Sequence, residues 1–132
     1  MRKTIGIIVL FGYMAFLAVL ATAEYYYQTG KAQKDAGKLK IACILNPFFS
    51  DYQYELFNYT KDLESIKTAI ALEPLKPLYH MSYGLELVED YRKRTRVSDQ
   101  TAFREIKRAY ELKPWSKNYK KIYEEDSKPF LK

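Results

Sequence analysis

One six-residue pattern, Ala-x-x-Leu-x-Pro, occurs three times in the 132-residue chain: Ala42-Cys43-Ile44-Leu45-Asn46-Pro47, Ala69-Ile70-Ala71-Leu72-Glu73-Pro74 and Ala109-Tyr110-Glu111-Leu112-Lys113-Pro114. Each copy closes a helical stripe. Upstream apolar residues recur at three and four, as Leu39, Ala42 and Leu45, then Ile66, Ala69, Ile70 and Leu72, then Phe103, Ile106, Ala109, Tyr110 and Leu112. That is the period of a half-buried helix. The alanine is small where a neighbouring helix must come close. The proline, lacking an N–H, stops the helix and can stand in the first turn of the next. A second stripe follows at fixed offsets: Tyr52 and Leu56, Tyr79 and Tyr83, and Tyr119 and Tyr123 stand five and nine residues after the three prolines. Self-similarity at this scale decides architecture before any single residue does. The chain is expected to be all-α, a short array of helix-turn-helix units. Helices are expected over about 5–28, 31–45, 49–58, 61–72, 77–93, 99–112 and 115–126. Ser98 or Asp99 would cap the sixth, and Arg94 to Val97 would form a loop.

Ahead of the first motif, Ile5 to Ala23 is 19 residues without a charge, near the roughly 20 that span a bilayer as a helix. Arg2 and Lys3 precede it and Glu24 follows. Two readings stay open. In the first, residues 1–4 lie in the cytoplasm and 5–23 are an uncleaved transmembrane signal anchor in the lipid bilayer, with Tyr25-Tyr26-Tyr27 as an aromatic belt at the headgroups. In the second, the segment is a signal peptide cut after Ala23, because Ala21 and Ala23 put small residues at the third and first positions before the cut. The body would then be periplasmic or secreted. In both, the tight basic flank keeps the N-terminus in the cytoplasm and the body outside it, against an opposing pull from Lys31, Lys34, Lys38 and Lys40. The remainder is long enough for one small core, expected as a helical domain over 24–126 with a tail over 127–132.

The net charge is +6; without Arg2 and Lys3 the remainder carries 20 basic against 16 acidic residues, or +4. So mild a bias fits an anionic neighbour such as a lipid surface and does not call for nucleic acid. Thirteen tyrosines in a chain that is 16% aromatic argue against disorder.

With these residues placed, the sequence resembles the tetratricopeptide (TPR) family over roughly residues 22–126. Helix B of that family ends in an alanine, an apolar residue and a proline, and helix A carries a Leu-Gly-x-x-Tyr pattern; here Tyr83-Gly84-x-x-Leu87 follows Pro74 at the matching place. Tyr26 falls at the helix A tyrosine, and Gly30 stands where the family often places its inter-helix turn glycine. The family period is about 34 residues, whereas Pro47, Pro74 and Pro114 are 27 and 40 apart, so the array is irregular. The resemblance implies a protein-binding scaffold. It places Tyr52, Tyr79 and Tyr119 on the concave face that the family uses for partners.

Residues suited to chemistry are sparse. His80 is the only histidine and Cys43 the only cysteine, too few for a zinc site. Ser82 and His80 are two apart and on different helix faces. There is no phosphate loop or Gly-x-Gly-x-x-Gly. No catalytic, metal or cofactor residue is expected, and the chain is not expected to be an enzyme. Cys43 should be inert on a buried face, and Trp115 should cap the core of the last helix. The run containing Arg92, Lys93, Arg94 and Arg96 is the densest basic stretch, a solvated loop or a contact for an acidic partner. Asn58-Tyr59-Thr60 matches a glycosylation acceptor. The expected function is a single-pass, membrane-anchored interaction scaffold, an accessory or assembly subunit of a larger membrane complex with protein partners. The alternative is a cleaved adaptor that binds peptides or glycans in a tyrosine-lined groove.

Overall fold

The computed structural model describes the backbone of residues 2–94 and 99–126 and the side chains of residues 6–90 and 100–125. Among these residues every regular element is a helix: α1 (Arg2–Gln33), α2 (Ala36–Leu45), α3 (Ser50–Thr60), α4 (Leu63–Leu72), α5 (Pro77–Arg94), α6 (Asp99–Leu112) and α7 (Lys117–Asp126). The protein is all-α, with one long apolar helix at its N-terminus. Where the sequence suggested one body over 24–126, the chain divides into two compact units, Met1–Thr60 and Lys61–Lys132.

The three Ala-x-x-Leu-x-Pro segments fold alike. In each, the helix runs through the leucine, the next residue leaves it, the proline and its successor form a turn, and a new helix starts three residues after the proline. The residue before the proline closes the helix by donating its N–H to the alanine carbonyl: Asn46 to Ala42 (2.9 Å), Glu73 to Ala69 (3.0 Å) and Lys113 to Ala109 (3.2 Å). Asn46 (φ −137°, ψ 81°) and Glu73 (φ −133°, ψ 76°) have already left the helical region, as crowding by the proline ring requires. All three alanines are fully buried, so a neighbouring chain segment covers the point where each helix ends.

A second repeated turn is built from Lys-Asp pairs. Lys34 (φ 55°) and Lys61 (φ 56°) take the left-handed conformation, usual for glycine and strained for a side-chain-bearing residue. Asp35 then caps α2, accepting from Gly37 N–H (2.9 Å) and Lys38 N–H (3.2 Å), and Asp62 caps α4, accepting from Glu64 N–H (3.3 Å). Such caps are worth about 1 kcal/mol each. This corrects the boundary expected at Gly30. Gly30 lies inside α1, and the reversal comes at Lys34 and Asp35. The absence of a side chain at Gly30 serves close packing instead: a Cβ there would lie 3.0 Å from the backbone nitrogen of Leu39.

In the first unit, α1 and α2 form an antiparallel hairpin and α3 packs on α2. Its core is Ala23, Leu39, Ala42, Cys43, Tyr52 and Leu56, with Tyr26, Tyr27, Ala36 and Leu45 packed against it. Burial raises the Cys43 thiol to about 11. In the second unit, α4 packs on α5, α5 on α6 and α6 on α7, around Ile66, Ala69, Leu87, Val88, Ala102, Ile106 and Ala109. Tyr123 of α7 stacks on Tyr110 and Phe103 of α6 at 5.2 and 5.9 Å. The tightest approach is at Gly84, where a Cβ would meet Ile106 Cγ1 at 2.6 Å and the backbone of Ala102 and Ile106 at 3.1 Å. Helix propensity alone would favour Gly84→Ala by up to about 1 kcal/mol. Because two of the clashing atoms are backbone, overpacking of about 1–3 kcal/mol should prevail. Thermal unfolding of the detergent-solubilised chain should show a lowered midpoint for Gly84→Ala, and an unchanged or raised midpoint would refute this account of the α5–α6 crossing.

Candidate functional site

The sequence offers three features with functional potential: the apolar helix, the tyrosines and the lone histidine. Helix α1 is long and apolar enough, from Gly6 to Gln33, to be a membrane span or signal anchor. Ile8, Phe11, Met14 and Phe16 are exposed along it, and almost none of the apolar stretch is covered by the rest of the chain. Cover begins with half-buried Leu20 and is complete at Ala23, the last residue of the uncharged run, in the cluster formed with α2 and α3. The next residue extends the junction. Glu24 accepts a hydrogen bond from the Tyr52 hydroxyl (Oε2, 2.7 Å), and the Tyr27 and Tyr52 rings stack at 4.6 Å. Burial and the Glu24 carboxylate both raise the Tyr52 pKa far above the usual phenol value, so Tyr52 remains the donor. Of the expected headgroup belt, Tyr25 faces outward while Tyr26 and Tyr27 pack into the body.

The expected partner-facing tyrosines do not form a common surface. Tyr52 is 2% exposed and spends its hydroxyl on Glu24. Tyr79 is fully buried, its hydroxyl accepting from Lys76 Nζ at 2.8 Å. Tyr119 is half-buried beside the Lys113 ammonium, 5.9 Å from its ring centre. The offset of five residues after each proline thus marks packing for the first two, because it places them one turn into the next helix on its inward side. In the basic run, Arg92, Lys93 and Arg94 continue α5, where a loop was expected from Arg94; their side chains, and Arg96 altogether, lie outside the described residues. Asn58 is half-buried and donates to Glu55 Oε2 at 3.4 Å. Among the described residues no group of three or more His, Cys, Asp or Glu is placed to hold a metal ion.

His80 is better partnered than the sequence suggested. It is 6% exposed, with Nδ1 2.7 Å from Glu105 Oε2 on α6 and Nε2 2.9 Å from the Pro74 carbonyl. A carbonyl only accepts, so Nε2 donates; a carboxylate at this distance draws the second proton onto Nδ1. The hydrogen bond to Glu105 raises the His80 pKa most, burial opposes it, the Pro74 carbonyl adds to it, and Arg108 lowers it slightly. In its protonated form both nitrogens donate, and the ring then has no lone pair free to take a proton from a substrate. It ties α5 to α6 and to the α4–α5 turn. No one-dimensional signal links residues 80 and 105, since they meet only when α5 and α6 pack antiparallel.

That turn and the α6–α7 turn carry the two most exposed large apolar side chains among the described residues of the second unit. Leu75 is 70% exposed, and Trp115 is 76% exposed at the equivalent position of the α6–α7 turn. Trp115 therefore does not cap the last helix, as expected, but points into solvent. The His80–Glu105 and Gly84–Ala102 contacts fix α5 and α6 antiparallel, so both turns lie at the same end of this unit, with Leu78 exposed beside them. Glu73, Pro74, Leu75, Lys76 and Pro77 line an open groove of about 490 Å³ there. Against known proteins, no family model matches the chain and no curated protein gives a significant match.

The histidine staple has a pH signature. A folded pKa raised above the ordinary 6.5 means that folding takes up protons. The stabilisation is complete below that unfolded value and disappears as pH rises through the folded one. Glu105→Gln should lower stability by about 2 kcal/mol at pH 6, the usual worth of a buried hydrogen bond to a charged group. The difference from the parent should shrink in denaturant titrations at progressively higher pH; a constant difference would remove the charged staple.

Proposed function

We propose that this chain is a single-span membrane protein whose helical body, a degenerate TPR-like array outside the cytoplasm, binds a protein partner as an accessory or assembly subunit of a larger membrane complex. The observation that carries the partner is the end of the second unit. Leu75 and Trp115 are exposed there on two equivalent turns, with Leu78 exposed at the start of α5, and lysines Lys113 and Lys117 flank the tryptophan. Large apolar side chains gathered in one place mark interaction surfaces, and tryptophan is the residue most often found at their energetic centre. Short repeat arrays are marginal alone, which favours a permanent partner. No enzymatic step belongs to this reading.

The uncleaved anchor is favoured over cleavage after Ala23. A cut there would remove a fully buried core residue, divide the continuous helix α1 and leave a new terminus at Glu24, the acceptor for Tyr52. The inside position of the N-terminus follows from Arg2 and Lys3.

Purification of the full chain in mild detergent should bring down a defined set of membrane companions. Trp115→Ser together with Leu75→Ser should remove them while leaving the chain folded, since both residues are exposed. A monodisperse chain without companions, or companions indifferent to the double substitution, would overturn the proposal. Intact mass should begin at the initial methionine or Arg2; a mass beginning at Glu24 would replace the anchor by the cleaved adaptor.

A further inference from the structure

The first unit exposes an apolar edge that its own packing uses only in part, through the Phe49 ring set edge-on against Tyr52 at 4.8 Å. Along α2, Leu39, Ala42 and Cys43 are buried while Ile41 and Ile44 face outward, Ile44 with 75% of its surface exposed; in the turn that follows, Phe48 is 82% exposed and Phe49 is exposed beside it. On a helix surrounded by water these positions would be polar. Their height relative to α1 is fixed from two directions. Descending along α2, Gly30 abuts Leu39, and Ala23 shares a cluster with Ala42 and Cys43. Ascending along α3, Tyr52 bonds Glu24 and Tyr59 donates its hydroxyl to the Lys31 carbonyl at 3.3 Å. The turn from Asn46 to Phe49 joins these two runs, and so lies level with Ala23 and Glu24.

That level has a physical meaning if α1 spans a membrane, and the inference rests on that reading. Residues 5–23 rise by about 28 Å at about 1.5 Å each, which fills a hydrocarbon core of about 30 Å and places Ala23 at its boundary. The headgroup layer beyond is about 5–7 Å deep, or roughly four residues of helix. Ile44, Phe48 and Phe49 fall within it, while Ile41, at its outer limit, is less exposed. Lys40, exposed one turn further from the membrane, can extend to lipid phosphates. Tyr25 is exposed on α1 at the same depth, a residue type favoured at that boundary.

The geometry points to the α2–α3 turn as a second membrane contact: Ile44, Phe48 and Phe49 insert into the interfacial layer beside the emerging α1, so that the first unit rests on the bilayer surface instead of standing clear of it. The occupant is lipid, because the apolar edge is continuous with the apolar face of α1 and at its depth. This contact would set the tilt of α1 by anchoring it at two points.

The test uses single cysteines in the full chain, reconstituted in phosphatidylcholine–phosphatidylglycerol vesicles and labelled with an environment-sensitive fluorophore. Cys43 is buried and its thiol is raised to about 11, so it stays unlabelled. Phe48→Cys and Ile44→Cys are the probes, Phe11→Cys reports the span, and exposed Ala32→Cys at the far end of α1 reports water. Labels at 48 and 44 should emit to the blue of the label at 32 and be quenched severalfold more strongly by lipids with a shallow, headgroup-proximal nitroxide. The label at 11 should respond most to a deep nitroxide. If 11 responds and 48 and 44 behave like 32, the second contact is refuted while the span stands. If 48 and 44 shift blue without lipid quenching, a protein or a second copy covers them and the lipid assignment is refuted. If 11 itself is not quenched, the spanning helix is refuted, and this inference with it.

Discussion

The missing N–H of three prolines organises this molecule. At Pro47, Pro74 and Pro114 the helix ladder cannot continue, and the residue before each proline is forced out of helical geometry. The helix is nevertheless closed, because that residue's N–H reaches back to the alanine carbonyl at 2.9–3.2 Å. The polar ends are satisfied, the alanine is small enough to be covered completely, and the next helix begins after the same number of residues in all three places. Turn geometry fixed this strictly sets the direction in which each following helix leaves. It also holds the residue after each proline away from any core: Phe48, Leu75 and Trp115 are all left outside. An apolar side chain at that position therefore adds little to folding and is free to serve contact with something else.

Much of the helical plan was legible because proline and 3.6-residue periodicity act locally. The boundaries of α2 at Leu45, α4 at Leu72 and α6 at Leu112 could be read from the motif. A glycine at position 30 points to a reversal there, but the turn before α2 lies four residues further on. The chain instead uses Lys34 and Lys61 in left-handed geometry, each followed by a capping aspartate. The clue was present: both Lys-Asp pairs and the first two prolines share a spacing of 27 residues. The family resemblance puts Tyr52 and Tyr79 on a partner-facing surface, but the repeated offsets that carry it do not tell which side of a helix is covered, and both side chains are buried. The His80–Glu105 pair was not legible at all, since 25 residues separate its partners and only the packing of α5 on α6 joins them.

Charge and burial are distributed differently in the two units. The first closes its junction with neutral and anionic groups, Tyr52 on Glu24 and a tyrosine stack, at the point where α1 leaves its apolar stretch. The second unit places its one histidine where two acceptors converge, and so converts a lone titratable group into a fastening between α5, α6 and the α4–α5 turn. What the fastening immobilises is the turn that presents Leu75. A rigid turn loses less conformational entropy on association than a mobile one, which is the general advantage of a preorganised contact surface.

On the proposed membrane-spanning reading, Ala23 is where the demands of bilayer and first unit meet. Packing that began two turns later would leave two turns of bare helix between them. Here the α1–α2 hairpin first buries α1 completely at the residue where the uncharged run stops, leaving no exposed polar stem between them. Two consequences follow. The first unit inherits the orientation of α1, because no breaker separates residues 6 and 33. And, on the proposed membrane-spanning reading, what α2 presents at its C-terminal end comes to the depth of the lipid headgroups, where water-exposed isoleucine and phenylalanine would be unfavourable and lipid-exposed ones are not. The apolar turn and the absence of a linker therefore require each other: a shorter hairpin would not reach the interface, and a polar turn at this depth would gain nothing from reaching it.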